Sequence, residues 1–156
     1  MTVELIPVWR EELRELWEMQ VVAFAELLER YRDYDTSPAN EPPERIEERF
    51  AQPQTTYYFI TADGVRVGAI RIVDFRESGR RKRISPIFIM PEHRRRGYAR
   101  QAIAQAERLH GADGWMLSTI LQEAGNCRLY EKMGYVRTGE TERINERMTL
   151  VFYNKN

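Results

Sequence analysis

The stretch that most restricts the fold of this chain is residues 84–106, in which an apolar run, a basic turn and a helical pattern follow one another. Residues 84–90 are dense in apolar side chains, which predicts a buried strand, and Pro91 ends it. After the basic turn, apolar side chains recur at helical spacing, at Ala99, Ala102, Ile103, Ala106 and Leu109. The order strand, turn, helix therefore places a helix N-terminus beside the end of a strand.

A helix N-terminus in that position favours the binding of a phosphate or pyrophosphate group. The first N–H groups of a helix lack partners inside the helix, and the helix dipole attracts negative charge there. Arg94, Arg95 and Arg96 lie in the same turn, where guanidinium groups add paired hydrogen-bond donors for phosphate oxygens. The turn is therefore predicted to bind an anionic ligand.

The spacing Arg94-x-x-Gly97-x-Ala99 resembles the coenzyme A signature of the GNAT N-acyltransferases, which has Arg or Gln, two residues, Gly, one residue, and Gly or Ala. The preceding strand with its proline and a second segment at residues 126–135 are also similar to motifs of that family, and the resemblance covers most of the chain. It implies one acyl-CoA-dependent N-acyltransferase domain over residues 1–156. Such a domain would transfer an acetyl group from acetyl-CoA to a primary amine by direct attack.

The resemblance also implies where acetyl-CoA would lie. Main-chain groups of Ile87 and Ile89 would hydrogen-bond the pantetheine arm, although ordinary sheet pairing would use the same groups. Asn126 would lie near the cofactor, and it is also suited to cap a helix. The residues implied in cofactor binding are Ile87, Ile89, Arg94, Arg95, Arg96, Gly97, Tyr98, Ala99, Arg100 and Asn126.

By the same resemblance, Tyr130 would stand near the sulfur of coenzyme A and donate a proton to the departing thiolate. A free tyrosine has a pKa of about 10 and a thiol a pKa of about 8.5, so a phenol is able to hydrogen-bond or protonate that thiolate. The alternative is a tyrosine that only fills a gap between a helix and the sheet.

Attack on the thioester requires a neutral amine, so a base or a chain of waters must take a proton from the acceptor. Glu123 follows a predicted strand and is the first candidate for this base, and Asp74 and Glu92 are alternatives. Each of these also fits a solvated surface carboxylate. His93 in the basic turn is expected to be structural. Cys127 lies in the first turn of a helix, where the pKa of a thiol falls, but a small packed residue is favoured over an acyl-cysteine.

The resemblance places the acceptor beside the first two helices and the loop between them. The candidate contacts in that loop are Tyr31, Asp33, Tyr34 and Asp35. The second helix is acidic and carries Glu41, Glu44, Glu47 and Glu48. Together these groups would attract a cationic amine, although an acidic helix is equally a solvated face. The acceptor is left open between small molecules and peptides.

Composition and charge exclude several classes of function. The chain has 156 residues with 24 Lys+Arg and 24 Asp+Glu, so its net charge is zero and a bulk attraction to nucleic acid is absent. The basic clusters at residues 80–83 and 94–96 are expected at opposite ends of one strand, about 20–30 Å apart. The N-terminal sequence is not of the signal-peptide type, and no apolar run reaches membrane-spanning length. We therefore expect neither a nucleic-acid nor a membrane partner.

The single cysteine and the lack of a Cys/His cluster predict a reducing compartment, the cytoplasm, and no metal site. A homodimer is left open. So is a second function, a catalytically inactive acyl-CoA-binding module or sensor of the same fold, because residues 84–90 contain no acid that would act as a base. A third hypothesis, nucleic-acid binding by the two basic clusters, is disfavoured by their separation.

The pattern over the whole chain predicts a mixed α/β fold, in which a mostly antiparallel sheet is flanked by about four helices. The resemblance implies in addition that the central strands of this sheet are splayed. One parallel connection runs through the helix at Ala99. Pro86 removes a ladder donor from a central strand and so predicts a bulge or a splayed edge nearby. Strands are expected at residues 3–8, 55–61, 65–75, 84–90, 115–120, 135–141 and 144–153. Helices are expected at residues 11–31, from a cap at Asn40 to about residue 50, from Ala99, and from a cap at Asn126 to residue 133.

Overall fold

The computed structural model describes residues 2–156, and within them seven strands form one sheet. In chain order the strands are β1 (Val3–Pro7), β2 (Thr55–Ala62), β3 (Val65–Val73), β4 (Lys82–Ile89), β5 (Trp115–Ile120), β6 (Val136–Asn145) and β7 (Met148–Lys155). The helices are α1 (Leu13–Tyr31), α2 (Pro43–Phe50), α3 (Tyr98–His110) and α4 (Ala124–Lys132). The strand order across the sheet is β1-β2-β3-β4-β5-β7-β6.

Neighbouring strands run antiparallel except for β4 and β5, which pair in parallel. Parallel neighbours need a crossover connection, and α3 supplies it on one face of the sheet. The predicted fold class is confirmed: the sheet is mixed and mostly antiparallel, one parallel connection passes through the helix that follows the basic turn, and four helices flank it.

Helices cover both faces of the sheet, because successive side chains of a strand point to opposite faces. Ile60 of β2 lies in a core shared with Ile103 of α3. Its neighbour Phe59 points the other way, into a second core that contains Leu16 of α1 and Ile46 of α2. The sheet therefore lies between α1 and α2 on one side and α3 and α4 on the other.

β4 carries the predicted bulge. Its register against β3 shifts between Ile84 and Ile87. Within this shift, Ser85 and Pro86 together face the single residue Arg71. The side chain of Arg71 donates its Nε–H to the carbonyl oxygen of Ser85, so a carbonyl group that the bulge removes from the ladder regains a partner.

β4 and β5 separate beyond the bulge. The two strands pair only at their first residues, Lys82 with Trp115 and Arg83 with Met116. The later part of β4 remains paired with β3 but has no pairing with β5. This confirms the predicted splay of the central strands, and it opens a gap at the ends of β4 and β5 that lead into α3 and α4.

The predicted cap at Asn40 is wrong. Asn40 lies in a short 3-10 turn, Pro38–Asn40, and its side chain donates to the carbonyl oxygen of Tyr34 at 2.6 Å. α2 begins at Pro43, after Pro42 as its N-cap residue. Proline already has the φ angle of a first helical turn and needs no acceptor for an N–H group, so these prolines start the helix without a side-chain cap.

The predicted cap at Asn126 is also wrong, because α4 begins at Ala124 with Glu123 in the N-cap position. The N–H group of Asn126 donates to the carbonyl oxygen of Glu123 at 3.1 Å, which places Asn126 inside the first turn of the helix. Its side chain lines the gap between β4 and β5 instead.

Other boundaries differ from the prediction by a few residues. A 3-10 turn, Arg10–Glu12, precedes α1, so the α-helix starts later than expected. β4 extends over Lys82–Ile89, not over residues 84–90. β6 is longer than predicted and β7 begins and ends later, because the turn between them lies at residues 146–147.

Candidate active site

The turn between β4 and α3 presents a row of unpaired backbone N–H groups. Arg95 and Gly97 both have positive φ, 65° and 79°, and such alternation points successive N–H groups to one side. Gly97 directly precedes α3 and adopts this conformation without the strain that a Cβ would cause. Within residues 2–156, no acceptor receives the N–H groups of Arg95, Arg96, Gly97, Ala99 and Arg100. The turn is thus an anion-binding concavity at a helix N-terminus.

A groove of about 590 Å³ leads from this turn along α1 and the end of β4. This volume lies within the range of about 300–1,000 Å³ that is usual for small-molecule sites. Its arginine side chains are Arg94, Arg95 and Arg100 near the turn and Arg30 on α1. At the other end, Asn126 and Tyr130 of α4 line it. An anionic ligand that binds the turn would therefore extend towards α4.

Arg94 forms hydrogen bonds within the protein. Its Nε–H donates to the carbonyl oxygen of Ile89 at 2.9 Å, and its Nη2–H donates to that of Ala23 at 2.8 Å. The side chain therefore joins the basic turn to the end of β4 and to the middle of α1. Among the other residues predicted at the turn, Arg96 is exposed and does not line the groove. Tyr98 lines the groove, although most of its surface is buried in the core below α3.

The backbone of β4 offers hydrogen-bonding groups to the gap. Met90 donates its N–H to the carbonyl oxygen of Val67 on the β3 side, at 2.8 Å. Because these groups alternate along a strand, the N–H and C=O groups of Ile87 and Ile89 point away from β3, towards the gap. Arg94 occupies the carbonyl oxygen of Ile89. The N–H and C=O groups of Ile87 and the N–H group of Ile89 face the groove, where contacts with the pantetheine arm are predicted.

A second, inner cavity of about 310 Å³ lies in the gap between β4 and β5. It is lined by Tyr31 and Asp33 from the end of α1 and the loop after it. Its walls include Ser85, Pro86, Ser118, Thr119, Met148 and Leu150. The groove and the inner cavity share the residues Phe24, Leu27, Ile87, Asn126 and Tyr130, so the two spaces meet at the first turns of α4.

Tyr130 stands at this junction. Its ring packs against Tyr135 and Tyr153, with ring centroids 6.1 Å and 6.2 Å away. These two tyrosines are fixed in turn, because their hydroxyl groups donate to Glu107 at 3.0 Å and to Glu131 at 2.7 Å. The hydroxyl group of Tyr130 has no hydrogen-bond partner within residues 2–156. Burial, with a smaller contribution from Cys127, raises the pKa of Tyr130 to about 12, so the phenol keeps its proton at neutral pH.

Glu123 lines the groove and is held by α1. Its Oε2 accepts hydrogen bonds from the hydroxyl group of Tyr31 at 2.5 Å and from Nη1 of Arg30 at 2.7 Å. Burial and the carboxylate of Glu123 raise the pKa of Tyr31. The backbone carbonyl group of Tyr31 accepts a hydrogen bond from Asn145 Nδ2 at 2.9 Å. A carboxylate and a phenol are thus joined where the groove meets the inner cavity.

The structure brings only part of the predicted acceptor site together. Tyr31 and Asp33 line the inner cavity, but both carboxylate oxygens of Asp33 accept hydrogen bonds from Thr36, from its N–H at 2.9 Å and from its hydroxyl group. Tyr34 and Asp35 are exposed and line neither cavity. The inner cavity therefore contains one carboxylate from this loop, already hydrogen-bonded.

The acidic second helix lies away from both cavities. Glu41 forms a paired salt bridge with Arg49, at 2.9 Å and 2.7 Å, and Glu44, Glu47 and Glu48 are exposed. The surface of α2 is thus a solvated helix face, which was the alternative interpretation. No group of three or more metal-ligating side chains occurs in residues 2–156, and no helix there has the length and apolar character to cross a membrane.

The remaining candidates for a base or a nucleophile lie elsewhere. Asp74 follows β3 at the end of the sheet opposite the basic turn, where its Oδ2 lies 3.0 Å from Nδ1 of His110. Glu92 is exposed and lines neither cavity, whereas His93 lines the groove. Cys127 is buried, with its Sγ 3.8 Å from the carbonyl oxygen of Ile120, and it lines neither cavity.

Several lining residues were not found from the sequence. Ala23, Glu26 and Arg30 of α1 face the groove and follow one another at helical spacing. The spacing shows that these residues share one face of α1. That this face lines the groove follows only from the position of α1 over β4. The serines of the inner cavity, Ser85 and Ser118, lie on two strands that come together only in the sheet.

Comparison with known proteins agrees with this geometry. A search of curated proteins finds no significant match. Solved structures with the same fold include a spermidine N-acetyltransferase from Vibrio cholerae in complex with CoA and spermine, with a TM-score of 0.76 at 20% identity, covering 97% of this chain and 93% of that chain. An acetyltransferase from Thermus thermophilus has a TM-score of 0.71 at 15% identity, covering 98% of this chain and 96% of that chain. At these identities the likeness concerns the fold.

The family is shown by the sequence itself. The profile of the Acetyltransferase (GNAT) family matches residues 14–135, a segment that contains both motifs, the splayed strands and Tyr130. The match confirms the family that the two motifs suggested, together with the enzyme class and its use of an acyl-CoA. The chain therefore belongs to the GNAT family of acetyltransferases and is an acyl-CoA-dependent N-acetyltransferase that acetylates an amine.

Proposed function

We propose that acetyl-CoA binds in the groove and a small primary amine in the inner cavity, and that the amine attacks the thioester at their junction. The observation that carries this proposal is the hydroxyl group of Tyr130, which stands where the two cavities meet and has no hydrogen-bond partner in residues 2–156. A donor that faces a cavity and has no protein partner fits a group whose partner arrives with the substrate.

The fit of acetyl-CoA to the groove rests on three features. The unpaired N–H groups of the turn suit the pyrophosphate, and Arg95 and Arg100 add positive charge beside it. The main-chain groups of Ile87 and Ile89 that face the gap suit the amides of the pantetheine arm, in the manner of an added strand. An arm that follows β4 from the turn would bring the thioester to the shared wall, next to Tyr130 and Asn126.

In the proposed reaction the amine nitrogen attacks the carbonyl carbon of the thioester directly. The new C–N bond forms as the C–S bond breaks, and the electron pair of the C–S bond remains on sulfur. Tyr130 then donates its proton to that sulfur, and a proton lost by the amine restores the phenol. Cys127 lies outside both cavities, which disfavours an acyl-cysteine and supports direct attack.

The lining of the inner cavity supports an acceptor with a single positive charge. Its charged side chains are Asp33, which is already bonded to Thr36, and Arg83. The remaining lining residues are uncharged: they are apolar or hydroxyl-bearing, apart from the amide of Asn126. A polyamine, like the ligand named for the Vibrio cholerae structure, would bring several positive charges into a cavity with one carboxylate and one arginine. We therefore favour a small primary monoamine over a polyamine or a peptide.

The test is release of free thiol from acetyl-CoA with a panel of monoamines, spermidine and a lysine peptide, using the wild type, Tyr130→Phe and Tyr58→Phe. We expect turnover with a monoamine, a fall of kcat by about 100-fold in Tyr130→Phe, and unchanged affinity for acetyl-CoA. Tyr58 is a buried tyrosine remote from both cavities, so Tyr58→Phe controls for loss of a hydroxyl group.

Three outcomes would contradict parts of the proposal. Full activity in Tyr130→Phe would remove that residue from the chemistry. Turnover confined to spermidine would overturn the argument from the charge of the inner cavity. Tight acetyl-CoA binding without turnover on any amine would favour the inactive sensor.

We also propose that residues 1–156 form one domain that works in the cytoplasm. The sheet supports the first part, because β1 near the start of the chain and β7 near its end belong to it with all the strands between them. The single cysteine supports the second part, since it needs no oxidising compartment. Limited proteolysis that yields a stable fragment lacking β1 or β7 would contradict the single domain.

A further inference from the structure

The pair Tyr31–Glu123 connects the two cavities. Tyr31 lines the inner cavity and Glu123 lines the groove. Their hydrogen bond, in which the hydroxyl group of Tyr31 donates to Oε2 of Glu123 at 2.5 Å, joins residues that are 92 positions apart in the chain. Tyr31 is almost fully buried, whereas the side chain of Glu123 is 21% exposed. One end of the pair thus faces the proposed acceptor, and the other end reaches solvent through the groove.

We infer that Tyr31 passes the proton of the acceptor ammonium group to Glu123. This inference rests on the proposed function, because it needs an amine in the inner cavity. Tyr31, which was predicted only to bind the substrate, thereby takes part in removing the proton. Glu123 lines the groove and not the inner cavity, so Tyr31 connects its carboxylate to the amine.

Protons and electron pairs balance in this step. An N–H bond of the ammonium group breaks, and its proton goes to the phenol oxygen of Tyr31. The proton of the phenol moves at the same time to Oε2 of Glu123, so Tyr31 stays neutral throughout. The electron pair left on nitrogen then attacks the thioester carbon. Glu123 releases its proton to solvent. Because burial and Glu123 raise the pKa of Tyr31, a concerted transfer suits this phenol better than ionisation.

The groups packed around the pair are few. On α1, Arg30 bonds the same carboxylate oxygen and is itself bonded to Glu26 at 2.9 Å. From the strand β6, Asn145 bonds the backbone of Tyr31 and carries no charge. In the loop after α1, Asp33 is occupied by Thr36, and on α4 the nearby titratable group is Tyr130. Within residues 2–156, Oε1 of Glu123 accepts no hydrogen bond, which leaves an oxygen that exchanges protons with solvent.

The inference predicts a specific pH dependence. Wild-type enzyme would accept the ammonium form and deprotonate it in place, whereas Tyr31→Phe would depend on the small fraction of amine that is already neutral. We therefore expect kcat/KM of Tyr31→Phe to be about 10- to 100-fold below wild type at pH 7. The deficit should shrink as the pH rises towards the pKa of the amine. It should also be small with a weakly basic amine that is neutral at pH 7.

Three variants and one binding measurement make the test decisive. Glu123→Gln keeps an acceptor for Tyr31 but takes up no proton, so it should reproduce the pH profile, and the double variant should be no worse than either single variant. Asn145→Ala removes another contact of Tyr31 but leaves the phenol intact, so any loss should be equal at all pH values. Acetyl-CoA affinity should be unchanged in Tyr31→Phe.

The two failures are distinguishable. If the wild type turns over an amine and Tyr31→Phe loses the same factor at every pH and with every amine, the hydrogen bond is only structural and the inference is wrong, while the proposed function stands. If the wild type itself turns over no amine, the proposed function fails first and the inference fails with it.

Discussion

The hydroxyl group of Tyr130 belongs to a residue that lines both cavities, and it has no hydrogen-bond partner within residues 2–156. The side chain is 7% exposed, and the three-tyrosine cluster with Tyr135 and Tyr153 fixes its ring. A hydroxyl group that faces a cavity and bonds to no protein group contributes little to the stability of the fold. At this position the protein keeps such a group, which indicates a role in the reaction and not in folding.

We therefore expect Tyr130→Phe to leave the free energy of unfolding unchanged or to raise it by up to about 1 kcal/mol. Tyr58→Phe is the matched comparison, because the hydroxyl group of Tyr58 lies 2.8 Å from Nε2 of His110. Its loss leaves that nitrogen unpaired in the interior and should cost about 1–3 kcal/mol. Urea unfolding of both variants checks this, and a destabilised Tyr130→Phe beside a stable Tyr58→Phe would contradict it.

At the residue scale, the sequence predicts those features of the site that depend only on residues close together in the chain. The order of strand, basic turn and helix in residues 84–106 predicts free N–H groups at the turn, and the structure has them. The two hydrogen bonds that Arg94 donates to backbone carbonyl groups were not predictable, because one acceptor, Ala23, lies on α1 and only the fold brings it close to Arg94. Asp33 and Tyr34 are neighbours, yet one lines the inner cavity and the other is exposed, since an irregular loop has no period that sets side-chain direction.

At the scale of elements, the approach of β3 to β4 determines the position of the gap. Gly68 on β3 faces the end of β4, and a Cβ built on it would lie 2.1 Å from the carbonyl oxygen of Phe88. Glycine is required here because of close approach, since any side chain would push β4 away. Phe88 lies between Ile87 and Ile89, whose main-chain groups face the groove.

We expect Gly68→Ala to lower the free energy of unfolding by about 2–3 kcal/mol, because backbone must move to relieve the contact. The shift should also weaken acetyl-CoA binding, since the groups of Ile87 and Ile89 move with β4. Val65→Ala on the same strand is the control, because Val65 is 51% exposed and its truncation should change neither quantity much. Calorimetric titration with acetyl-CoA and thermal unfolding measure the two effects, and unchanged binding in Gly68→Ala would separate β4 from the cofactor.

Sequence predicted most elements because their signals are strong and local. The apolar periodicity of α1 and the proline in β4 were sufficient for a long helix and for a bulge. The two helix caps failed for a physical reason. The prediction places Asn at the cap of both helices, but Pro43 starts α2 without a side-chain cap, and α4 begins two residues before Asn126.

At the scale of the whole molecule, the tyrosines set the behaviour at high pH. The chain has eight tyrosines, and burial raises the pKa of most of them. Those with a raised pKa are Tyr31, Tyr57, Tyr58, Tyr130, Tyr135 and Tyr153. In the unfolded chain they would titrate near pH ~10, so the folded state holds their protons more tightly than the unfolded state.

The sign of the linkage follows from this difference. Stability from these groups is fully present below pH ~10 and is lost as the pH rises through the folded values, which for Tyr130 is about 12. We expect thermal unfolding temperatures that change little between pH 7 and 9 and fall steeply above pH ~10. Tyrosinate absorbance should appear together with unfolding. Absorbance that rises near pH ~10 with the fold intact would show that the tyrosines are accessible to solvent.

The shared wall of the groove and the inner cavity has a kinetic meaning. Phe24, Leu27, Ile87, Asn126 and Tyr130 line both spaces, so a thioester lying in the groove completes the pocket that the amine enters. An amine that bound first would occupy a pocket whose wall is incomplete. It would also block the approach of the thioester to Tyr130. Turnover would then have a compulsory order, in which acetyl-CoA binds before the amine to form a ternary complex. The acetylated amine would leave before free coenzyme A.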